Sequence, residues 1–264
     1  MADLAIWQLI IMALVFVWSG FVRSGLGFGG AALALPLLLL LKNDPLIFLP
    51  IISIQLMVFS SWIAWQGHRR SRAMIQTHAE ASPSSNIDWS YLKKSMVIII
   101  VPKLLGVLGL LTLPSQVVTA LIFAMISVFA VSYIVNKPFK SKSRWTDIFF
   151  LTLGGYFSGT SLIGAPLIVA VYASHVPRHQ LRDTLFVLWF ILVSIKMTSF
   201  IIAGVNLQLM NQIWLFPCAW LGHMLGLKFH DYIQTQSNTM FYRVIGIALL
   251  VVCLTGFFSQ WVVR

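Results

Sequence analysis

Ser19-Gly20-Phe21-Val22-Arg23-Ser24-Gly25-Leu26-Gly27-Phe28-Gly29-Gly30, followed by Pro36, interrupts a run that is apolar almost throughout from Ile6 to Leu41. As one helix that run would be about 54 Å long, whereas a bilayer core of about 30 Å takes roughly 20 helical residues. The run is too long for a single crossing, and the glycine-rich stretch is where it breaks. A related stretch lies inside a second overlong segment, Ile148 to Ala173: Gly154-Gly155-Tyr156-Phe157-Ser158-Gly159-Thr160-Ser161-Leu162-Ile163-Gly164-Ala165-Pro166. At an offset of 134 residues, from Gly20 to Gly154, both stretches show Gly, then Ser-Gly, then another Gly five residues after that Gly.

Between and beyond these two segments lie six ordinary apolar runs: Leu46–Trp65, Ser95–Leu113, Val117–Val135, Thr184–Ile202, Leu209–Leu227 and Phe241–Phe258. The composition agrees with a chain that lives in lipid. Charged residues make up 9% of it, where a soluble domain has about a quarter, and its 59% apolar content excludes a disordered chain. Two cysteines, Cys218 and Cys253, exclude a secreted disulfide scaffold. A net charge of +11 suggests nucleic acid in a soluble protein; in a membrane protein it reports Lys and Arg left on the cytoplasmic side. The first apolar run has no Lys or Arg before it and no small-residue cleavage site after it, so a removable signal peptide is not expected.

The basic residues give the sidedness. Arg69, Arg70, Arg72, Lys93 and Lys94 fall in one connection, and Lys137, Lys140, Lys142 and Arg144 in another. Arg178 and Arg182 fall in a third, Lys228 and Arg243 in a fourth. By the positive-inside rule all four are cytoplasmic. The segment from Ile148 to Ala173 therefore starts and ends inside. If Ile6–Leu41 is also a hairpin, the N-terminus is outside, and the last run carries the C-terminus outside too. Each half then reads as a hairpin plus three crossings. Three is odd, so the second half lies upside down relative to the first.

The expected fold is an all-α polytopic membrane protein of two inverted repeats. Each repeat is a broken re-entrant or V-shaped hairpin plus three transmembrane helices, about eight membrane segments, or about ten with the hairpin arms counted separately. The first repeat is residues 1–135, the cytoplasmic basic linker 136–145 and the second repeat 146–264. Pairs of thin full crossings in place of the hairpins give the same loop sides.

Unwound glycine-rich backbone at membrane depth is tolerated where it faces protein or a wet cavity. A helix that restarts after such a break presents free N–H groups and the positive end of its dipole, an anion site. Small residues at spacing four also serve close helix packing; their recurrence inside both overlong segments favours the ligand reading. The ionisable residues point the same way. The seven acidic residues (Asp3, Asp44, Glu80, Asp88, Asp147, Asp183, Asp231) fall in loops or at helix ends, while Arg23, Lys103 and Lys196 fall at depth. A buried cation usually faces a cavity or a partner. Without a carboxylate at that depth, the partner is a bound anion, the carbonyls of a helix C-terminus, or water.

Alternatives remain for each. Lys196 lies about 12 Å along the helix from Gly204 and can snorkel outward. Arg23 can cap carbonyls at the break. His223, between Gly222 and Gly226, reads first as a packing histidine, yet it titrates near neutral pH and so allows a proton role. Gln55 reads as an interhelical hydrogen bond, and Trp65, Trp145 and Trp261 as interfacial anchors. No enzyme constellation appears. The cysteines are isolated, Ser158 to Ser161 lacks a base nearby, and the remaining histidines show no metal-ligand spacing.

Taken together, Ser24-Gly25-Leu26-Gly27-Phe28-Gly29-Gly30 with Pro36, and Ser158-Gly159 with Gly164 and Pro166, resemble the sulfite exporter TauE/SafE family, also called the toluene-sulfonate uptake permeases. His68-Arg69-Arg70, Arg182-Asp183-Thr184, Gly222-x3-Gly226 and Phe241-Tyr242-Arg243-x2-Gly246 followed by Gly256 extend the likeness over most of the chain. The first glycine run ends Gly29-Gly30-Ala31-Ala32 where the family is often richer in glycine, and Thr160-Ser161-Leu162-Ile163 is also glycine-poor. The resemblance implies a bacterial inner-membrane permease for sulfite or small organosulfonates, without a cofactor or metal and with no nucleic-acid partner. Its partners are the small anion and the lipid bilayer, and a homodimer is one arrangement open to it. The expected substrate site comprises Arg23, Ser24, Gly25, Gly27, Gly29, Gly30, Lys103, Ser158, Gly159, Thr160, Ser161, Gly164 and Lys196, at the midplane between the two Ser-Gly tips. The expected direction is export. The rival readings are proton-coupled anion uptake through His223 and a non-transporting membrane subunit that scaffolds a partner.

Overall fold

A computed structural model describes residues 5–26, 30–77, 87–137, 139–233 and 239–262. Among them the chain forms ten α-helices and no strand. The first overlong segment becomes α1 (Ile6–Leu26) and α2 (Gly30–Leu41), and the second becomes α6 (Arg144–Ser161) and α7 (Ala165–His175). Between them run α3 (Pro45–Thr77), α4 (Trp89–Thr112) and α5 (Ser115–Ile134); after them come α8 (Arg178–Ile202), α9 (Leu209–Ile233) and α10 (Thr239–Val262). The six ordinary apolar runs fall in α3, α4, α5, α8, α9 and α10, and each of the two overlong runs breaks into two helices.

Windows of α1, α3, α4, α5 and α8 are long and apolar enough to cross a bilayer, and α2, α7 and Gly246–Phe258 of α10 are shorter apolar helices. The outward faces are as apolar as the core: Val97 is 74% exposed, Ile202 81% and Ile213 70%. Such a surface needs lipid around it, not water. The protein is an all-helical, multi-pass membrane protein.

Several boundaries differ from the sequence reading: α8 begins at Arg178, six residues before Thr184, so Arg178 and Arg182 lie in a helix, and α9 runs to Ile233, six residues past Leu227. α3 runs past Trp65 to Thr77, so Arg69, Arg70 and Arg72 extend a helix and do not lie in a loop. α4 begins six residues before Ser95, at Trp89. There Asp88 caps the helix by accepting from the Tyr91 N–H at 2.9 Å, which satisfies one of the first-turn donors. Hydropathy marks where lipid stops, and a helix with polar ends continues beyond it.

The helices associate in long pairs: α1 along α9, α4 along α6, α5 along α10 and α3 along α8, with α1 folded back on α2 and α6 on α7. Lipid tails are as apolar as leucine, so helices in a membrane gain contact chiefly by close approach at small residues. The α1–α9 and α4–α6 seams are built that way. A methyl group on Gly222 would collide with the Val17 carbonyl of α1, and one on Gly159 with the Lys103 carbonyl of α4. One apolar cluster, with Phe16, Phe48, Phe123 and Phe200, joins the α1–α3 region to α5 and α10. A second, with Ile99, Tyr172, Phe186 and Leu192, packs α4, α7 and α8.

Candidate functional site

The breaks begin later than the Ser-Gly motifs. Arg23, Ser24 and Gly25 are in the last turns of α1, and Ser158, Gly159, Thr160 and Ser161 form the last turn of α6. The chain leaves α6 through Leu162, whose φ of 62° is left-handed, a cap conformation more usual for glycine. α7 restarts at Ala165, with Gly164 as an N-cap that offers no side-chain hydrogen bond to its first turn. α2 restarts at Gly30. Gly27 and Gly29 lie outside the described residues.

The two restarts meet. A cavity of about 40 Å3 is lined by Arg23, Gly30, Ala31 and Ala32 from the first break and by Leu162 and Ala165 from the second. Ile52 and Leu56 of α3 and Phe186 and Trp189 of α8 complete it. Gly30 is needed at this junction, because a Cβ there would lie 2.7 Å from the Ser19 carbonyl and 3.0 Å from Arg23 Cβ. Ser19 Oγ donates to the Gly30 carbonyl at 3.2 Å and ties the start of α2 to α1.

Arg23 is the charged member of the cavity wall. Its side chain is 4% exposed, and its Nη1 is buried without a hydrogen-bond partner. The guanidinium lies over the Phe59 ring, 4.6 Å from the centroid, a favourable cation–π geometry. The other face of this group of side chains belongs to α9: the His223 ring lies 4.9 Å from Phe59 and 5.7 Å from Trp220. His223 Nδ1 and Ser24 Oγ are hydrogen-bonded. Ser24 therefore faces the α1–α9 seam, and His223 is the packed, satisfied histidine that the glycines around it suggested.

The lysines converge on α6. Lys103 Nζ donates to Ser158 Oγ at 3.1 Å and to the Ser158 carbonyl at 3.3 Å. Lys196 Nζ donates to the Gly159 carbonyl at 2.7 Å. Both side chains are fully buried, so Lys196 does not snorkel. Of the three partners open to a deep cation, these two take the carbonyls of a helix C-terminus, the negative end of its dipole. Among the described residues the carboxylates stay near helix ends. Asp44 precedes α3, Asp88 caps α4, Asp147 opens α6, Asp183 is in the second turn of α8 and Asp231 in the last turn of α9.

The remaining expected site residues have local partners. Thr160 Oγ1 donates to the Tyr156 and Phe157 carbonyls at 3.4 and 3.3 Å, and Ser161 Oγ to the Phe157 carbonyl at 3.0 Å. Gly164 packs against the Gly154 carbonyl and closes the α6–α7 hairpin. Arg23 and Gly30 are thus at the cavity, Lys103, Ser158, Gly159 and Lys196 are grouped one turn behind it, and Ser24 faces α9. Leu162, Phe186 and Trp189 carry no signal in a sequence full of apolar residues; only the fold brings them to this wall, and Phe59 to Arg23. Gln55 does link α3 to α9, donating to Gln212 Oε1 at 3.4 Å while Gln212 donates to the Ile51 carbonyl at 2.9 Å.

An arginine donor facing a cavity at the starts of two helices can hold a small oxyanion, since N–H groups and positive dipole ends converge there. No curated protein and no solved structure gives a significant match to the chain. Residues 12–256 match the family model described as Sulfite exporter TauE/SafE; the chain belongs to that family of membrane transporters.

Proposed function

We propose that the protein is a permease that exports a small sulfur-containing anion, sulfite or an organosulfonate, from the bacterial cytoplasm across the inner membrane. The anion binds in the cavity between the two breaks. Arg23 Nη1 and the first-turn N–H groups of α2 and α7 take its oxygens. Lys103 and Lys196 fix the last turn of α6 beside it and add positive potential, and Ser158 and Gly159 are the groups through which they do so. Ser24, Gly25, Thr160, Ser161 and Gly164 shape the two helix ends. The observation that carries this reading is the buried, unpartnered Nη1 in a cavity whose wall is drawn from both breaks.

The pairing of the helices supports two repeats, α1–α5 and α6–α10; the placement of Lys and Arg supports their inversion, with both termini periplasmic and the linker 136–145 cytoplasmic. Exchanging the two sets of five turns α1–α9 into α6–α4, α1–α2 into α6–α7, α2–α3 into α7–α8 and α3–α9 into α8–α4. The α3–α8 and α5–α10 pairs map onto themselves, and all of these pairs are in contact. Rocking of such repeats about a central site is a common route to alternating access.

Export follows from the membrane potential. With the inside negative, a monovalent anion leaves downhill by about 2.3 kcal/mol per 100 mV, so no coupling ion is needed. The hydrogen bond between Ser24, next to Arg23, and His223 favours proton-coupled uptake as the second reading. Purified protein in proteoliposomes distinguishes them. Sulfite efflux that accelerates with an imposed potential and loses apparent affinity in Arg23→Ala supports export. Uptake driven by a pH gradient and lost in His223→Asn supports the second reading. No flux of any sulfur oxyanion refutes both and favours a scaffold subunit.

A further inference from the structure

A second cleft, of about 450 Å3, lies away from the candidate transport site, between α5, the linker that follows it and α7. Its mouth is basic. Lys140 and Lys142 line it and are both exposed, and no carboxylate forms an ion pair with either among the described residues. Asp147, at the start of α6, takes His175 at 2.8 Å and Ser141 instead. The floor of the cleft is apolar and runs along α7 from Ser174 to Pro166 through Val169 and Ala170. Eight residues of helix span about 12 Å, close to the depth of one leaflet in a core of about 30 Å.

The walls are built. Phe139 of the linker packs edge-on against Phe129 of α5 and Phe150 of α6, at 5.7 and 5.9 Å between centroids. Ser174 Oγ donates to the Ser141 carbonyl at 3.3 Å, which pins the linker to α7. The result is a groove with two cations at the headgroup level and an oily channel below them. Basic pockets between transmembrane helices on the cytoplasmic side suit anionic lipid headgroups.

We propose that this cleft binds an anionic phospholipid, with its phosphate between Lys140 and Lys142 and one acyl chain along α7 as far as Pro166. Pro166 is in the first turn of α7 and Ala165, beside it, lines the transport cavity. A bound chain therefore stays against the same helix that opens the anion site, and lipid charge is coupled to transport through the position of α7. The lipid site stands whichever anion the cavity carries.

The test is native mass spectrometry of full-length protein released from bilayers of phosphatidylcholine with a minor fraction of phosphatidylglycerol. The wild type is expected to retain phosphatidylglycerol over phosphatidylcholine by roughly thirtyfold, roughly fivefold for each lysine. Lys140→Gln with Lys142→Gln should abolish the preference. Ala173→Trp, at the exposed rim, keeps both charges but blocks the groove, and should abolish retention too. Lys93→Gln with Lys94→Gln, on another helix, should leave it intact. Three results overturn the proposal. The first is equal retention of the two lipids by the wild type. The second is wild-type retention in Ala173→Trp, which reduces the effect to a film of surface charge. The third is a lipid-free dimer that Ala173→Trp dissociates, which gives the groove to a second copy.

Discussion

Arg23, Lys103 and Lys196 are three buried cations with two different chemistries. The lysines are satisfied by protein, and the arginine keeps one donor for something else. Removing each should therefore read out differently. Arg23→Ala deletes a charge-assisted hydrogen bond to the anion, about 1.5–3 kcal/mol. Apparent sulfite affinity in transport assays should fall roughly ten- to hundredfold with little change in melting temperature. Lys196→Met leaves the Gly159 carbonyl without its ammonium donor, a loss of about 1–3 kcal/mol for a buried group. Lys103→Met costs less, because the Ser158 carbonyl still accepts the Leu162 N–H at 3.3 Å. Thermal unfolding in detergent should rank Lys196→Met below Lys103→Met, and equal melting temperatures would remove the capping role from Lys196.

The seams decide how closely the elements approach, and glycines on one helix differ in what they do there. Gly159→Leu must push α6 off α4, since even a methyl group meets the Lys103 carbonyl. Overpacking of this kind costs about 1–3 kcal/mol and also moves the carbonyls that the lysines hold, so melting temperature and flux should fall together. Gly109, three residues along from Gly106, has nothing nearer than 3.7 Å to its would-be Cβ. Gly109→Ala should be neutral or gain up to about 1 kcal/mol from helix propensity. A matching loss at both positions would mean that α4 and α6 are not in this register. Element sidedness is tested apart from packing. In a background lacking Cys218 and Cys253, cysteines at Lys142 and Arg178 should both be labelled from the same face. Opposite labelling would turn α6 and α7 from a hairpin into a single crossing.

For the whole molecule, the proposed export has the membrane potential acting on the anion as its driving force. In sealed vesicles a potential of 100 mV should hold a monovalent anion at a gradient of roughly 50-fold at equilibrium. A gradient that instead follows the pH difference would transfer the coupling to His223. The pairing of helices across the halves adds a mechanical expectation. α1 leans on α9 and α6 on α4, so each hairpin rides on a helix from the other half. A cross-link between α1 and α9 should leave the cavity intact, while one between α3 and α8, which line it from both sides, should lock it and stop flux.

Hydropathy and charge count alone determined that this chain is a polytopic helical membrane protein, because a 20-residue oily run has few alternatives and each Lys or Arg in oil is expensive. They also located both breaks, since a run of 36 residues from Ile6 to Leu41 cannot cross once. The resemblance carried by the Ser-Gly stretches reached the right family. The division of labour among the cations was not legible. Lys103, Lys196 and Arg23 look alike in sequence, and what separates them is which ammonium groups α4 and α8 bring within 3.3 Å of an α6 carbonyl. Phe186 and Trp189 were invisible for a simpler reason. In a chain that is mostly apolar, one more aromatic carries no pattern, and only the meeting of α1, α3, α7 and α8 gives it a wall to build.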